Sequence, residues 1–202
     1  MRNEELGMRN EELKTICNLL KYMKKNWAYK LLERNGWTIN LVKELPAKCV
    51  ICVAPHTSNW DFILGILAKF ALNIKANFFM KKEWFFFPMG YLMRALGGVA
   101  IQRNKKMRMT DAMAAEFDKH ESLCVAITPE GTRSYNPDWK KGFYFIAEKA
   151  GVPIVFASLD FKKKEIKLGE QFIPTGDVDA DMAQIKAYYK DVNAKFPEKF
   201  GI

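Results

Sequence analysis

Two side chains in the segment APHTSNWD are suited to acid–base chemistry, because His56 precedes Asp61 by five positions. An imidazole is the natural general base near neutral pH. If the turn folds back onto the start of a helix, the Asp61 carboxylate reaches a ring nitrogen of His56. It then fixes the tautomer and stabilises the imidazolium, as the acid of a catalytic triad does. The pair can activate a hydroxyl that the substrate supplies. Thr57 and Ser58 between them are also typical helix caps.

A second polar cluster, TPEGTRS, follows another apolar run. Gly131 allows the backbone to approach a ligand closely. Arg133 can hold a phosphate through two parallel hydrogen bonds, and the Thr132 and Ser134 hydroxyls can add donors. Glu130 either orients the loop or accepts a ligand hydroxyl. By itself the cluster is equally consistent with a Pro-Gly turn that carries a solvated arginine.

A third cluster, GGVAIQR, ends at Arg103. Its glycines precede a short apolar run, which puts Arg103 at the carboxyl end of a predicted strand. Arg103 and Arg133 on one rim would form a phosphate clamp. Taken alone, Arg103 also fits a solvated basic stretch, since Lys105, Lys106 and Arg108 follow. The second histidine, His120, lies in a polar link and is predicted to be solvated.

The rest of the chain alternates apolar strands with helices, which indicates an α/β fold whose sheet is covered on both faces. Ligands in such sheets bind beyond the carboxyl ends of the strands, where the polar clusters fall. The predicted strands are Cys49–Ala54, Ala76–Met80, Gly98–Gln102, Leu123–Thr128, Pro153–Leu159 and Phe161–Leu168. The predicted helices are Trp60–Leu72, Trp84–Leu96, Met107–Lys119, Lys141–Ala150 and Asp179–Ala194, the last capped by Asp177 or Asp179.

The N-terminal region divides into two predicted parts. Residues 1–10 contain most of a duplicated MRNEEL hexamer and are predicted to be a disordered start without function. Residues 11–36 form a predicted amphipathic helix, with apolar positions at three- and four-residue steps over Glu11–Arg34 and lysines opposite. Such a helix either lies at a membrane interface or packs on its own domain. Residues 37–202 form the main domain.

The composition narrows the classes of protein. The 202 residues carry a net charge of +9 and are 49% hydrophobic, which predicts one globular domain that attracts phosphates. No apolar run reaches the length of a membrane span, so we expect a cytoplasmic protein, attached at most to the membrane surface. Cys17, Cys49, Cys52 and Cys124 suit a reduced compartment, and neither a metal site nor a nucleic-acid motif is predicted.

The order of the clusters resembles the glycerolipid acyltransferase superfamily, whose best-known members acylate glycerol-3-phosphate and lysophosphatidic acid. The matching motifs are H-x-x-x-x-D at His56 and Asp61, the Gly-led strand that ends at Arg103, the PEGTRS of 129–134 and VPIV at 152–155. His-x4-Asp alone is unspecific, whereas PEGTRS at this distance from it is a strong signal. The matches span about residues 50–157.

The resemblance implies an αβα sandwich around a mixed, mostly parallel sheet. It also implies acyl transfer from acyl-CoA or acyl carrier protein, without a bound cofactor, to a hydroxyl of a lysophospholipid or glycerol-phosphate acceptor. His56 and Asp61 would be catalytic. Arg103 and the loop Glu130–Arg133 would bind the acceptor's phosphate, and an anionic membrane surface would be a partner on the cytoplasmic face. An acyl thioesterase and a non-enzymatic basic lipid-binding protein remain alternatives.

Overall fold

The computed structural model describes residues 26–81, 83, 85–101 and 109–202 of the chain. Strands and helices alternate along most of this length. The strands are β1 (Thr38–Leu41), β2 (Lys48–Ala54), β3 (Ala76–Lys81), β4 (Gly98–Ile101), β5 (Leu123–Ile127), β6 (Ile154–Asp160) and β7 (Glu165–Phe172). The helices are α1 (Trp27–Arg34), α2 (Asn59–Leu72), α3 (Met89–Ala95), α4 (Met109–Asp118), α5 (Gly142–Ala150) and α6 (Val178–Tyr189), followed by a 3₁₀ turn at Pro197–Lys199.

The strands form one sheet in the order β1-β7-β6-β2-β5-β3-β4. Every neighbouring pair is parallel except β6 and β7, which are antiparallel. The sheet is therefore mixed and mostly parallel, as expected. Because β2, β5 and β3 are parallel neighbours, their carboxyl ends meet at one edge, and the loops that follow β2 and β5 lie side by side there.

Apolar side chains cover both faces of the sheet, which makes the fold an αβα sandwich. On one face Val50, Cys52 and Ala54 of β2 pack against α4, α5 and α6. On the other face Cys49 and Ile51 join a core that continues beneath α1 and α2. This alternation along β2 follows from the two-residue period of a strand.

Four elements differ from the sequence-based predictions. Helix α6, predicted over Asp179–Ala194, ends at Tyr189, because the chain turns at Lys190 and Asp191. The strand predicted over Phe161–Leu168 is β7, which begins four residues later because 161–164 form the turn after β6. The helix predicted from Trp84 begins at Met89, directly after Pro88, which cannot donate a helical hydrogen bond. Thr38–Leu41, for which no element was predicted, forms the edge strand β1.

The N-terminal prediction is tested only at its carboxyl end, since residues 1–25 lie outside the described part. The helix there begins at Trp27, and Asn26 has an extended backbone while its side chain accepts a hydrogen bond from the Ala28 N–H. An extended N-cap ends the helix on its amino side. The prediction of one continuous helix across Glu11–Arg34 is therefore wrong at Asn26.

The described cysteines Cys49, Cys52 and Cys124 are buried and unbridged, as small core side chains should be. Among the described helices, none combines the length and the apolar character that crossing a bilayer requires.

Candidate active site

The turn between β2 and α2 carries the predicted acid–base pair. The buried strand ends at Ala54, and α2 begins at Asn59 with Ser58 as its N-cap. Asp61, in the first turn of α2, folds back over this cap. Its Oδ2 accepts hydrogen bonds from the Thr57 N–H at 2.6 Å and the Ser58 N–H at 2.7 Å, and its Oδ1 accepts one from the Ser58 hydroxyl at 3.0 Å. The cap therefore fixes the carboxylate in one orientation.

The Asp61 carboxylate faces the imidazole of His56. Nδ1 of His56 lies 3.5 Å from Oδ2 of Asp61, with Asp61 only 3% exposed. Burial favours a raised pKa for Asp61, but the His56 ring and the hydrogen bonds from Ser58 and Thr57 outweigh it and lower the pKa below its ordinary value. Asp61 is thus an anion beside Nδ1, which leaves Nε2 of His56 as the nitrogen that can exchange a proton with a substrate.

Glu130, from the loop after β5, contacts the backbone of His56. Its Oε1 accepts a hydrogen bond from the His56 backbone N–H at 2.8 Å. The residue is 1% exposed, and its Oε2 has no hydrogen-bond partner among the described residues. Burial raises the pKa of Glu130 to about 7, even though the His56 N–H favours the carboxylate. Glu130 thereby joins the loops that follow two adjacent strands.

The His56–Asp61 pair lies in the wall of an apolar cavity of about 550 Å³, within the usual size range of small-molecule sites. The sheet, α2, α4 and α5 contribute to its walls. Typical wall residues are Val53, Phe78 and Ala126 of the sheet and Gly65 and Ile66 of α2. The cavity therefore joins an acid–base pair to a mostly hydrocarbon surface.

Of the TPEGTRS loop, Thr128 lines the cavity, whereas Gly131, Thr132, Arg133 and Ser134 do not. Gly131 has a φ of +68°, a conformation that glycine adopts without strain. The Thr132 hydroxyl accepts a hydrogen bond from the Ser134 N–H at 3.2 Å, so it stabilises the loop locally. Thr132, Arg133 and Ser134 are exposed, and Arg133 lines a separate cleft next to the His56 turn. Arg103 lies outside the described residues.

A family model described as Acyltransferase matches residues 38–159, which include His56, Asp61 and the whole TPEGTRS loop. The chain belongs to the acyltransferase family. This membership confirms the resemblance drawn from the sequence motifs.

Two curated relatives of this acyltransferase-family chain are named for one activity. The 1-acyl-sn-glycerol-3-phosphate acyltransferase BAT2, chloroplastic, of Brassica napus is 31% identical over 144 residues, which cover 68% of this chain and 41% of the relative. The human 1-acyl-sn-glycerol-3-phosphate acyltransferase beta is 36% identical over 115 residues, which cover 53% of this chain and 39% of the relative. The matched region therefore spans about two fifths of each curated relative.

A solved structure shares the fold. The crystal structure of the 1-acyl-sn-glycerophosphate (LPA) acyltransferase PlsC from Thermotoga maritima aligns with a TM-score of 0.58 and 18% identity, covering 88% of this chain and 80% of that one. At this level of identity the match confirms the α/β sandwich of the acyltransferase-family chain.

Two groups of residues near the site were not predicted. Lys195 and Lys199, beyond α6, line the same cleft as Arg133. Lys69 of α2 lies in the cavity wall, where burial lowers its pKa and its Nζ donates a hydrogen bond to the Leu96 carbonyl at 2.6 Å. No local motif marks these lysines, since the rest of the acyltransferase fold brings them to the site.

Three further features concern the start of α2, the segment before α3 and the second histidine. The backbone N–H groups of Thr57 and Ser58 are hydrogen-bonded to Asp61, which leaves only N–H groups from Asn59 onward for an oxyanion at the start of α2. Phe86 and Phe87, in the segment before α3, are exposed. His120 is exposed near Glu116, as predicted for a solvated residue.

Proposed function

We propose that the chain transfers a fatty acyl group from an acyl thioester to a hydroxyl of a phosphorylated lipid or glycerol-phosphate acceptor. The observation that carries this proposal is the 3.5 Å approach of His56 Nδ1 to the buried Asp61 carboxylate in the wall of the apolar cavity. General bases act at such buried pairs, and an acyl chain is the hydrocarbon that a cavity of this kind accommodates.

In the proposed reaction, Nε2 of His56 takes the proton of the acceptor hydroxyl as its oxygen attacks the thioester carbonyl carbon. The Asp61 carboxylate stabilises the imidazolium that forms. The tetrahedral intermediate then collapses, the C–S bond breaks, and the departing thiolate receives the proton from His56. A new ester and a free thiol result, so no acyl-enzyme is needed.

The acyl chain is assigned to the cavity, with its carbonyl at His56 and its tail between α2 and the sheet. Gly65 of α2 supports this direction, because it lines the cavity and a β-carbon added to it would meet no atom within 4 Å. Lys69 lies eight residues beyond Asp61 on the same helix, about 12 Å along its axis. Its ammonium group is a polar group in the wall of a cavity that is otherwise mostly apolar.

The donor and the acceptor are assigned by chemical class. The two curated relatives are named for acylation of 1-acylglycerol-3-phosphate, which favours a lysophospholipid acceptor with a free phosphate. Both acyl-CoA and acyl carrier protein present a thioester on a phosphopantetheine arm, so either can serve as the donor. Of the residues proposed for the acceptor's phosphate, Arg133 is the exposed guanidinium next to the His56 turn.

We also propose that the protein works at an anionic membrane surface on the cytoplasmic face. Its net charge is +9, and aromatic side chains project from the segment before α3 and from α3 itself. Phe87 is 83% exposed and Tyr91 69% exposed, and their rings pack edge to face with centroids 6.2 Å apart. Exposed aromatic rings on a cationic protein suit the interface between headgroups and acyl chains.

In the deciding experiment, the full chain is incubated with labelled acyl-CoA or a labelled acyl carrier protein thioester, together with a panel of acceptors. The panel holds glycerol-3-phosphate, lysophosphatidic acid, lysophosphatidylcholine and monoacylglycerol. His56→Ala should lower the rate of ester formation by about 10²- to 10⁴-fold, because a general base contributes that much. His120→Ala, which removes the other histidine at an exposed position, should leave the rate unchanged.

The products formed distinguish three classes of protein: an acyltransferase, a thioesterase and a non-enzymatic lipid-binding protein. Ester formation that depends on His56 supports the acyltransferase. Release of free fatty acid without any ester would identify a thioesterase, with water in place of the alcohol. Full activity in a folded His56→Ala variant would overturn the mechanism, and binding of lipid without turnover would favour a non-enzymatic lipid-binding protein.

A further inference from the structure

A second cleft, separate from the apolar cavity, opens beside the start of α2 and has a volume of about 410 Å³. The residues that line it are Thr57–Trp60, Arg133, Lys195, Phe196 and Lys199. Three elements that are far apart in sequence thus meet here: the turn after His56, the loop after β5 and the segment that follows α6.

The segment after α6 is held at three points. Nδ2 of Asn193 donates a hydrogen bond to Oδ2 of Asp160 at 3.0 Å, and Nε1 of Trp139 donates to the Gly201 carbonyl at 2.7 Å. Between them, the Phe196 N–H donates to the Thr57 hydroxyl at 3.3 Å. Since Thr57 directly follows His56, these bonds fix the carboxyl-terminal segment against the turn that carries the proposed base.

Aromatic rings position the two lysine heads at the cleft. Nζ of Lys195 lies 4.8 Å from the centroid of the Trp60 ring, and Nζ of Lys199 lies 4.6 Å from that of Phe196. Both lysines are half-buried, so their stems pack while their ammonium groups stay near the surface. A lysine held in this way loses less conformational freedom when it binds an anion than a freely extended one does.

The charge of the cleft is one-sided. Three cationic side chains line it, and none of the described residues that line it is acidic. Concentrated positive charge of this kind attracts anions and raises their local concentration. An arginine beside two lysines is moreover the combination that suits a phosphate, because the guanidinium forms paired hydrogen bonds and the ammonium groups act as point charges.

We propose that this cleft is a phosphate-binding subsite and that the carboxyl-terminal segment supplies two of its three cations, Lys195 and Lys199. The assignment to a substrate rests on the proposed function, since Thr57 and Ser58 place the cleft directly after His56 in the chain. The phosphate is that of the acceptor or one carried by the phosphopantetheine or nucleotide part of the donor. Both share the same chemistry, and kinetics distinguish them.

The test is the double variant Lys195→Gln with Lys199→Gln, which removes both charges and keeps most of each stem. Its matched control is Lys162→Gln with Lys190→Gln, which makes the same change in net charge at exposed positions outside the cleft. Loss of two charged contacts should raise the KM for a phosphorylated acceptor by about ten- to a hundredfold, while kcat changes little. The control should leave the KM for both substrates unchanged.

The two sources of phosphate give different results. A rise in KM for lysophosphatidic acid but not for monoacylglycerol or the thioester assigns the cleft to the acceptor. A rise in KM for acyl-CoA that disappears with an acyl thioester of a phosphate-free thiol assigns it to the donor. Unchanged KM values for both substrates, or equal effects in the control, would overturn the subsite.

Direct binding separates this proposal from the proposed function. Inorganic phosphate should raise the thermal unfolding temperature of the full chain more than chloride at equal ionic strength, and the double variant should lose that difference. If acyl transfer fails with every acceptor while this phosphate effect persists, the cleft stands and the reaction is wrong. If acyl transfer occurs without a phosphate effect or a change in KM, the reaction stands and the cleft is wrong.

Discussion

The Glu130 carboxylate accepts a hydrogen bond from the backbone N–H of His56 at 2.8 Å, which joins the loops after two adjacent parallel strands. The contact links residues 74 positions apart and holds the His56 backbone, while Asp61 faces the His56 ring. Since Glu130 is almost fully buried and its second oxygen is unpartnered among the described residues, its ionised form is unfavourable in the folded protein.

Glu130 makes the stability of the protein depend on pH near neutrality. Its pKa rises from an ordinary 4.5 to about 7 on folding. A carboxyl with a raised folded pKa contributes stability that is fully present below about 4.5 and is lost as the pH rises through about 7. Glu130→Gln keeps an oxygen to accept the His56 N–H and cannot ionise. At pH 8 we therefore expect the free energy of unfolding of the Glu130→Gln variant, measured by urea denaturation, to exceed that of the wild type by up to about 3 kcal/mol.

The control for this prediction is Glu130→Ala, which also cannot ionise but removes the acceptor of the His56 N–H. It should lose ester formation, whereas Glu130→Gln should retain most of it at pH 8. If the stability difference between Glu130→Gln and the wild type were the same at pH 5 and pH 8, Glu130 would not be the titrating group.

Asp61 is expected to act on catalysis beyond its role as a cap. Asp61→Asn removes the negative charge beside Nδ1 of His56 and should lower kcat/KM by about 10²- to 10⁴-fold, because the imidazolium is no longer stabilised. Ser58→Ala is the matched variant, since it removes the hydrogen bond to Oδ1 of Asp61 and leaves the pair intact. Loss of that cap contact should cost about 1 kcal/mol of stability.

Steady-state kinetics and thermal unfolding of both variants together check this assignment. Asp61→Asn should lose far more activity than its change in stability explains, and Ser58→Ala should lose stability with little loss of activity. Equal losses of activity in the two variants would mean that Asp61 only builds the turn.

The sequence predicts the elements that are strongly patterned. β2, β5 and α2 agree with their predicted ranges to within one residue, because uninterrupted apolar runs and a capped helix start are local signals. The edge strand β1 has only four residues, alternately exposed and half-buried, so no apolar run marks it. The start of β7 was misplaced since the alternating pattern continues through a turn in which Lys164 adopts a left-handed conformation.

In the candidate site, too, local contacts could be predicted from the sequence and long-range contacts could not. His56 and Asp61 are five residues apart, so helix capping alone brings them together, and their pairing could be predicted. The contact of Glu130 with His56 and that of Phe196 with Thr57 join residues 74 and 139 positions apart. Such contacts depend on the strand order, which the local pattern does not encode, and for this reason Lys195 and Lys199 were missed.

The cavity should limit the length of the acyl chain, and Gly65 provides the test. Replacing a helix-interior glycine with leucine favours the helix by about 1 kcal/mol, and the new side chain enters open space in the cavity. Gly65→Leu should therefore unfold at a higher temperature than the wild type. It should also lose turnover of long acyl-CoA substrates by about tenfold more than turnover of short ones, because the tail and the leucine compete for the same volume.

Gly65→Ala is the control, since its single methyl group gains the helical stability but leaves most of the cavity open. Its profile of turnover against chain length should match the wild type. A stabilised Gly65→Leu variant with an unchanged profile would mean that the acyl chain does not occupy this cavity.

The exposed aromatic pair Phe87 and Tyr91 should govern attachment to membranes. Replacing both by serine removes apolar surface that would enter the headgroup region and leaves the net charge unchanged. We expect sedimentation with vesicles of anionic phospholipid to fall by at least about tenfold, while turnover of a water-soluble short-chain thioester stays the same. Ile173→Ser is the matched control, because Ile173 is 66% exposed just beyond β7. Equal loss of vesicle binding in the control, or none in the double variant, would rule out this pair as the membrane contact.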